Sequence, residues 1–256
     1  MAEPSSDPIK PPGDGGAGTA GMASGAAGLA EAGAGFKPES AGSFADGAAI
    51  TLKEASTDYA DAGAPEHHVY NVPAFLKLIP GDNLSIVDVA CGNGRLAGIL
   101  ADHGHKVIGT EISESGLHMA RTHFSQAEFV FADAYEDLRP KLPDGHCDLV
   151  VSCEVIEHLF DPEKFLKNAF AMIKPGGHII VSTPYHGYVK NVLISLTGKW
   201  DHHFMVDQVG AHIKFFSAKT LTQMMRGVGF EDFTFLGAGR LPLLWCSMLI
   251  RARKPL

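Results

Sequence analysis

Seven short apolar runs, most of them separated by helical patterns, constrain the fold of this chain more than any other feature. The runs are rich in β-branched residues and span residues 85–90, 106–111, 128–133, 148–153, 178–183, 232–237 and 246–252. Runs this short and continuous are typical of strands buried on both faces of a sheet. The helical patterns between them indicate a parallel sheet with helices on both sides. The sequence therefore predicts an α/β, doubly wound, Rossmann-like sheet of seven strands.

The last two runs break this alternation, because only the loop GAGRLPLLW (237–245) lies between them. The final strand is therefore predicted to be antiparallel to its neighbour. Gly176-Gly177 is predicted to end a helix and to lead into the fifth strand. Elsewhere the patterns predict helices over 95–103, 114–124 and 162–173 and from 217, with Ser113, Asp161 and Ser217 at or before the first residue of three of them. A further helix is predicted over 189–196, and it is expected to pack against the domain rather than to face a membrane or a lipid substrate.

The N-terminal residues differ from the rest of the chain in composition. Residues 1–50 contain 13 Ala and 11 Gly and very few aliphatic or aromatic residues. Such a segment cannot bury enough apolar surface to offset the entropy of ordering it. We therefore expect a disordered tail over residues 1–60 and a single folded domain over 61–256.

Charge and cysteine content narrow the class of protein. A formal net charge of -8 argues against a protein that coats nucleic acid, because phosphate binding needs a dense Lys/Arg surface. The four cysteines show no CxxC spacing and fit the reduced thiols of a cytoplasmic protein. No signal-peptide pattern and no uninterrupted membrane-spanning stretch are found. We therefore expect a cytoplasmic protein that does not span the membrane.

Polar residues follow the first three strands, where a doubly wound sheet binds its ligands. The first strand runs through Asp88 into a loop with Gly92 and Gly94, which allow a tight turn and a close approach of ligand to backbone. Glu111 ends the second strand, where it is placed to accept hydrogen bonds from the two hydroxyls of a ribose. Asp133 ends the third strand, where it is placed to accept a bond from an adenine amino group.

Two kinds of cofactor fit this pattern. Gly92-x-Gly94-x-x-Ala97 followed by Glu111 also satisfies the dinucleotide fingerprint. However, an acid at Asp88 would repel a pyrophosphate, whereas it suits a cationic cofactor. S-adenosylmethionine carries a sulfonium and an amino group and has no phosphate.

Five motifs in order resemble those of the class I S-adenosylmethionine-dependent methyltransferases: VDVACGNGR, VIGTE, FADA, DLVVSCEVIEHL and MIKPGGHIIVSTP. The resemblance covers about residues 66–256 and is nearest to the ubiquinone-biosynthesis O-methyltransferase group. It departs from the usual first motif at Ala90, where many members have Gly. The resemblance implies S-adenosylmethionine as cofactor, held by Asp88, Ala90, Gly92, Gly94, Glu111, Ile112, Asp133, Ala134 and Cys153.

The segment after the fourth strand suggests a metal site. On a helix, residues i, i+3 and i+4 share a face, so Glu154, Glu157 and His158 are expected to converge. Their donors suit Mg, Mn or Zn. The pattern is similar to that of ubiquinone-type phenol O-methyltransferases and of small-RNA 2′-O-methyltransferases, and the resemblance to the latter adds His212. An acid and a histidine at this place also recur in methyltransferases without a metal, so both interpretations stay open.

Residues 184–210 form an insertion where members of this family carry an acceptor cap. It is rich in aromatic residues and histidines, which suits a flat or phenolic acceptor. A histidine can remove a proton from a hydroxyl near neutral pH. The candidate catalytic residues are His158, His202 and His203, with His186 as a further candidate base.

The sequence therefore predicts an O-methyltransferase that acts on a small hydroxylated molecule, with or without the help of a divalent metal. One alternative is RNA 2′-O-methylation through the same metal face, which the acidic charge disfavours. Two others are a nicotinamide-dependent oxidoreductase and a non-catalytic domain that binds the cofactor and a partner. N- or C-methylation also stays open, because the cofactor half of these proteins does not encode the acceptor atom.

Overall fold

The computed structural model describes residues 68–142, 144–204 and 210–256, apart from the side chain of His202. The predicted tail over residues 1–60 and the predicted domain start at residue 61 lie outside these residues. Residues 205–209 of the predicted acceptor insertion also lie outside them. Within the described ranges, no helix has the length and apolar character needed to cross a membrane.

The described chain folds into the predicted seven-stranded sheet, in the order β3-β2-β1-β4-β5-β7-β6. Strands β1 to β5 pair in parallel, and β7 is antiparallel to both β5 and β6. The predictions of a doubly wound sheet and of an antiparallel last strand are confirmed. The strands are β1 (Ser85–Val89), β2 (Lys106–Glu111), β3 (Glu128–Phe131), β4 (Cys147–Ser152), β5 (Ile173–Pro184), β6 (Glu231–Ala238) and β7 (Ser247–Arg253).

Helices cover both faces of the sheet, and three of them begin at the predicted caps. The side chains of Ser113, Asp161 and Ser217 accept hydrogen bonds from the first-turn amides of α3, α4 and α7, which are bounded below. The predicted helices 95–103, 114–124 and 162–173 each end one residue earlier. The helices are α1 (His68–Leu78), α2 (Arg95–Asp102), α3 (Glu114–His123), α4 (Pro162–Met172), α5 (Tyr188–Leu196), α6 (Trp200–Phe204) and α7 (Ala218–Val228).

Two local predictions are wrong. Strand β5 begins at Ile173, before the glycine pair that was expected to lead into it. The pairing register with β4 shifts between Ile173 and His178, so Gly176, at φ +78°, lies in an irregularity of the strand and not ahead of it. Helix α5 forms as predicted, but none of its residues is buried, and Tyr188 and Leu196 are 84% and 77% exposed. The apolar face of α5 is thus not part of the core.

The core lies on both faces of the sheet, because side chains alternate along each strand. Val87 of β1 belongs to a core cluster with residues of α4 and α7, and Ile86 belongs to a cluster with residues of α1 and α2. Burial on both sides explains why the strand runs are continuously apolar. It also leaves the carboxyl ends of β1 to β5 as one rim where polar side chains can be exposed to a ligand.

Candidate active site

The loop after β1 is held in a conformation that favours glycine. Gly92 and Gly94 have φ angles of +58° and +81°, and Ala90 has φ +56°. A Cβ atom on Gly94 would lie 2.5 Å from the Cβ of Ala120 and 2.9 Å from the ring of Phe129. Position 94 therefore requires glycine for two reasons, its backbone angle and the lack of space. Ala90 adopts the left-handed region with a side chain, which is an unfavourable conformation.

Replacing Ala90 with Gly is expected to stabilise the protein by about 0.5–1 kcal/mol. The left-handed conformation costs an L-residue about 1–2 kcal/mol, and the greater freedom of glycine in the unfolded chain offsets part of that gain. Urea unfolding of Ala90→Gly and wild type measures the difference. Ala169→Gly, in the middle of α4, is the matched control and should destabilise by about 1 kcal/mol or more. Equal destabilisation by both changes would show that Ala90 carries no strain.

Asp88 is a buried acid whose negative charge is only weakly compensated. Its side chain is in β1, is 1% exposed, and neither carboxylate oxygen has a hydrogen-bond partner among the described residues. Burial, together with the nearby charge of Glu111, raises the pKa of Asp88 to about 8, and the Ala97 amide opposes this only in part. A buried acid with unsatisfied oxygens fits a ligand that brings a positive charge and N–H donors.

Glu111 ties the glycine loop to the end of β2. Its Oε2 accepts a hydrogen bond from the Gly92 amide at 2.9 Å, and its Oε1 accepts two at 2.8 Å from Ile112 and Ser113. At least three of the roughly four acceptor positions of this carboxylate are therefore taken by backbone amides. Because Oε1 already accepts two bonds, the ribose hydroxyls predicted from the sequence would have to donate to Oε2.

The remaining predicted cofactor residues follow strands β2, β3 and β4 at the same rim. Ile112 comes directly after β2 and Cys153 directly after β4. Asp133 and Ala134 lie beyond β3, which ends at Phe131, so the prediction that Asp133 ends the strand is wrong. Asp133 instead begins a turn, in which its Oδ1 accepts a hydrogen bond from the Tyr135 amide at 2.8 Å. The sheet thus places all the predicted cofactor residues at the rim formed by the carboxyl ends of its parallel strands.

Three of the four predicted metal ligands come together. Ligand atoms of Glu157, His158 and His212 all lie within 4.8 Å of one another. Glu157 Oε1 is 4.0 Å from His158 Nε2 and 3.9 Å from His212 Nε2. The Glu157 side chain is fully buried, and burial with the charge of Glu154 raises its pKa well above the usual range.

The segment that carries His212 is bound to a short 3₁₀ helix, Ile156–His158. The Ile213 and Lys214 amides both donate to the Glu157 carbonyl at 2.9 Å, which fixes His212 beside the Glu157 side chain. His158 Nδ1 lies 2.7 Å from the carbonyl oxygen of Gly210. A carbonyl oxygen can only accept a hydrogen bond, so Nδ1 carries the proton in this contact. The other ring nitrogen, Nε2, therefore keeps its lone pair on the side of Glu157. Burial lowers the pKa of His158, which also favours the neutral ring.

Glu154 does not join this group, contrary to the sequence prediction. The residue precedes the 3₁₀ helix and has a φ of +55°, so the helical spacing that placed it beside Glu157 is absent. Its Oε1 accepts hydrogen bonds from Ser182 Oγ at 2.8 Å and from Asn71 Nδ2 at 3.1 Å. Burial raises the pKa of Glu154 to about 7, against the opposing effect of these donors.

The candidate catalytic bases lie in two separate clusters of side chains. His158 lies with His212, their ring centroids being 4.8 Å apart. His186 and His203 lie together in an aromatic cluster, in which His186 stacks on Phe204 at 5.7 Å and meets Phe215 edge-on at 5.3 Å. Burial lowers the pKa of His186, so its ring is neutral near pH 7. The side chain of His202 lies outside the described part of the chain.

Sequence reasoning missed Asn71 and Ser182. Asn71 is on α1, more than 80 residues before the Glu154 side chain that it contacts, and no motif marks it. Ser182 lies near the end of β5, where its position at the rim could have singled it out.

Comparisons with known proteins identify the family of this chain. A family model described as a methyltransferase domain matches residues 59–234. A ubiquinone biosynthesis O-methyltransferase of Coxiella burnetii is 31% identical over 161 residues, which is 62% of this chain and 68% of that protein. One from Thiobacillus denitrificans is also 31% identical, over 62% and 69% of the two chains.

Solved structures share the fold at lower identity. A possible histamine N-methyltransferase of Thermotoga maritima has a TM-score of 0.55 at 24% identity, over 73% of this chain and 89% of that one. Human N-acetylserotonin methyltransferase, solved with its methyl donor, has a TM-score of 0.56 at 22% identity, over 75% and 53%.

Proposed function

This chain belongs to the S-adenosylmethionine-dependent methyltransferases, and from that premise we propose that it methylates a hydroxyl oxygen of a small phenolic-type molecule with the help of a divalent metal. The relatives named as O-methyltransferases support oxygen as the acceptor atom. Membership of this family counts against a nicotinamide-dependent oxidoreductase, and the relatives named as methyltransferases count against a silent binding domain.

The observation that carries the metal proposal is the Glu157, His158 and His212 group. A carboxylate and two imidazoles suit a borderline divalent ion such as Mn or Zn, whereas Mg prefers oxygen donors. Both oxygens of the buried Glu157 lack a hydrogen-bond partner among the described residues, which fits a ligand that brings positive charge. Such an ion, when bound, would lower the pKa of an acceptor hydroxyl and hold its oxygen in place.

The cofactor proposal rests on residues at the same rim. The unsatisfied carboxylate of Asp88 suits the charged methionine portion, and the Gly92–Gly94 loop allows the ligand close to the backbone. Glu111 is proposed to hold the ribose through Oε2, Asp133 with Ala134 and Ile112 the adenine, and Cys153 to line the site through its backbone. The cofactor supplies a methyl group for in-line displacement, so the protein chiefly contributes alignment.

A neutral imidazole is proposed to receive the hydroxyl proton. His203 and His186 are near each other, with ring centroids 6.0 Å apart, beside the aromatic side chains of Phe204 and Phe215. Aromatic walls suit a flat acceptor ring. His202 remains a candidate from the sequence.

A methyl-transfer screen tests the function. Phenols, sugars, amines and short RNA would be assayed with chelator-treated protein, with and without added Mg, Mn or Zn. We expect phenols to be the best acceptors and turnover to return on addition of the ion. Amines or RNA as the best acceptors would overturn the acceptor proposal, and equal turnover in excess chelator would overturn the metal.

A further inference from the structure

Helix α1 brings one fully buried amide, that of Asn71, to the rim. The helix is held by two arginines of the last strands and their loop. Arg251 Nη1 donates to the Leu78 carbonyl at 3.1 Å, and Arg240 Nε donates to Tyr70 Oη at 2.7 Å. These contacts hold α1 at both ends, so the Asn71 side chain has a defined position.

The hydrogen bonds around Glu154 determine which way this amide faces. Ser182 Oγ accepts the Glu154 amide at 2.9 Å and donates to Glu154 Oε1 at 2.8 Å. Because Oε1 is an acceptor, the amide must turn its Nδ2 toward it, at 3.1 Å. Asn71 Oδ1 therefore faces elsewhere, and it is buried without a hydrogen-bond partner among the described residues. An unsatisfied buried acceptor indicates a missing donor.

The carboxylate of Asp88 in β1 is a second buried acceptor group without a hydrogen-bond partner among the described residues. Asn71 Nδ2 is 3.8 Å from Cys153 Sγ. Burial raises the pKa of the Cys153 thiol well above its usual range, and the charges of Glu154 and Asp88 add to this effect. In the sheet, Asp88 of β1 pairs with Val151 of β4, two residues before Cys153, so Asn71 and Asp88 both lie beside the end of β4.

We infer that Asn71 Oδ1 accepts a hydrogen bond from the amino group of the bound methyl donor, next to Asp88, while its Nδ2 holds Glu154. An ammonium group has three N–H donors, which suits one amide oxygen and one carboxylate together. Asn71 would then be a positioning residue that links cofactor binding to Glu154. The inference rests on the cofactor of the family, and not on the phenolic acceptor or the metal proposed above.

Binding calorimetry with two ligands tests this role. S-adenosylhomocysteine carries the amino group, whereas 5′-methylthioadenosine has the same nucleoside without the amino-acid portion. In Asn71→Leu we expect S-adenosylhomocysteine to bind about 10–100-fold more weakly, as for a lost hydrogen bond to a charged group. Methylthioadenosine should bind within about threefold of wild type, which also shows that the variant is folded.

Asn191→Leu is the matched control, because it removes an amide of the same size from α5, none of whose residues is buried. It should leave the affinity for both ligands unchanged. Equal weakening of both ligands in Asn71→Leu would assign Asn71 a structural role only, and unchanged affinity for S-adenosylhomocysteine would exclude the contact.

The wild-type protein offers a second measurement if Asn71→Leu fails to fold. The side-chain amide signals of Asn71 in ¹⁵N NMR should shift on addition of S-adenosylhomocysteine by more than on addition of methylthioadenosine. Identical shifts with the two ligands would overturn the inference.

Discussion

Replacing Asp88 with Asn is expected to weaken S-adenosylhomocysteine binding about 10–100-fold, because a charge-assisted hydrogen bond is worth about 1.5–3 kcal/mol. The substitution keeps the shape of the side chain and removes the charge that the ligand amino group would pair with. Calorimetry on Asp88→Asn and wild type measures the loss. Asp144→Asn, in an exposed loop, is the control and should bind as wild type does.

The same substitution is expected to stabilise the ligand-free protein at alkaline pH. The pKa of Asp88 is about 8 in the folded protein against 3.8 for an ordinary carboxyl group. Between these values the folded state binds a proton that the unfolded state has released. The free energy of unfolding therefore falls as pH rises from about 4 to 8. Because Asn cannot ionise, the free energy of unfolding of Asp88→Asn lacks this dependence on pH.

Urea unfolding at pH 6 and pH 8.5 measures this difference. The stability of Asp88→Asn relative to wild type should rise by about 2–3 kcal/mol over this interval, at up to 1.36 kcal/mol per pH unit. Wild-type affinity for S-adenosylhomocysteine should rise over the same interval, because the ionised carboxylate is the binding form. A pH-independent difference between the two proteins would contradict the buried, protonated state of Asp88.

Replacing Glu157 with Gln is expected to abolish metal binding and to lower metal-supported turnover at least about 100-fold, because a bound ion contributes several kcal/mol to catalysis. Glu157 is the only carboxylate of the three-residue group, and its side chain is fully buried between two imidazoles. Metal content after purification without chelator, and turnover with and without added ion, are the measurements. S-adenosylhomocysteine affinity should stay unchanged and serves as the check on folding.

Glu154→Gln is the matched control for this experiment. The sequence spacing places Glu154 among the ligands, whereas its Oε1 is bonded to Ser182 and Asn71. We therefore expect Glu154→Gln to retain the metal. Loss of metal in both variants would favour the sequence pattern over the structure, and retention of metal in Glu157→Gln would exclude the site.

The fold was largely predictable from local signals. Apolar runs, N-caps such as Ser113, and the absence of a helix before the last run depend on residues close together in the chain, and these predictions are confirmed. The packing of α5 was not predictable, because an apolar helical face has the same sequence pattern whether or not another element covers it. In the described part of the chain none of its residues is buried.

The sequence by itself determined which residues stand at the rim, since strand ends follow from short-range patterns and parallel strands place their carboxyl ends together. Only the tertiary structure decided how these residues pair. It separated Glu154 from Glu157 through a positive φ, and it brought Asn71 and His212 to the rim from distant segments. Such contacts depend on how α1 and the 210–216 segment dock on the sheet, and no local spacing encodes that docking.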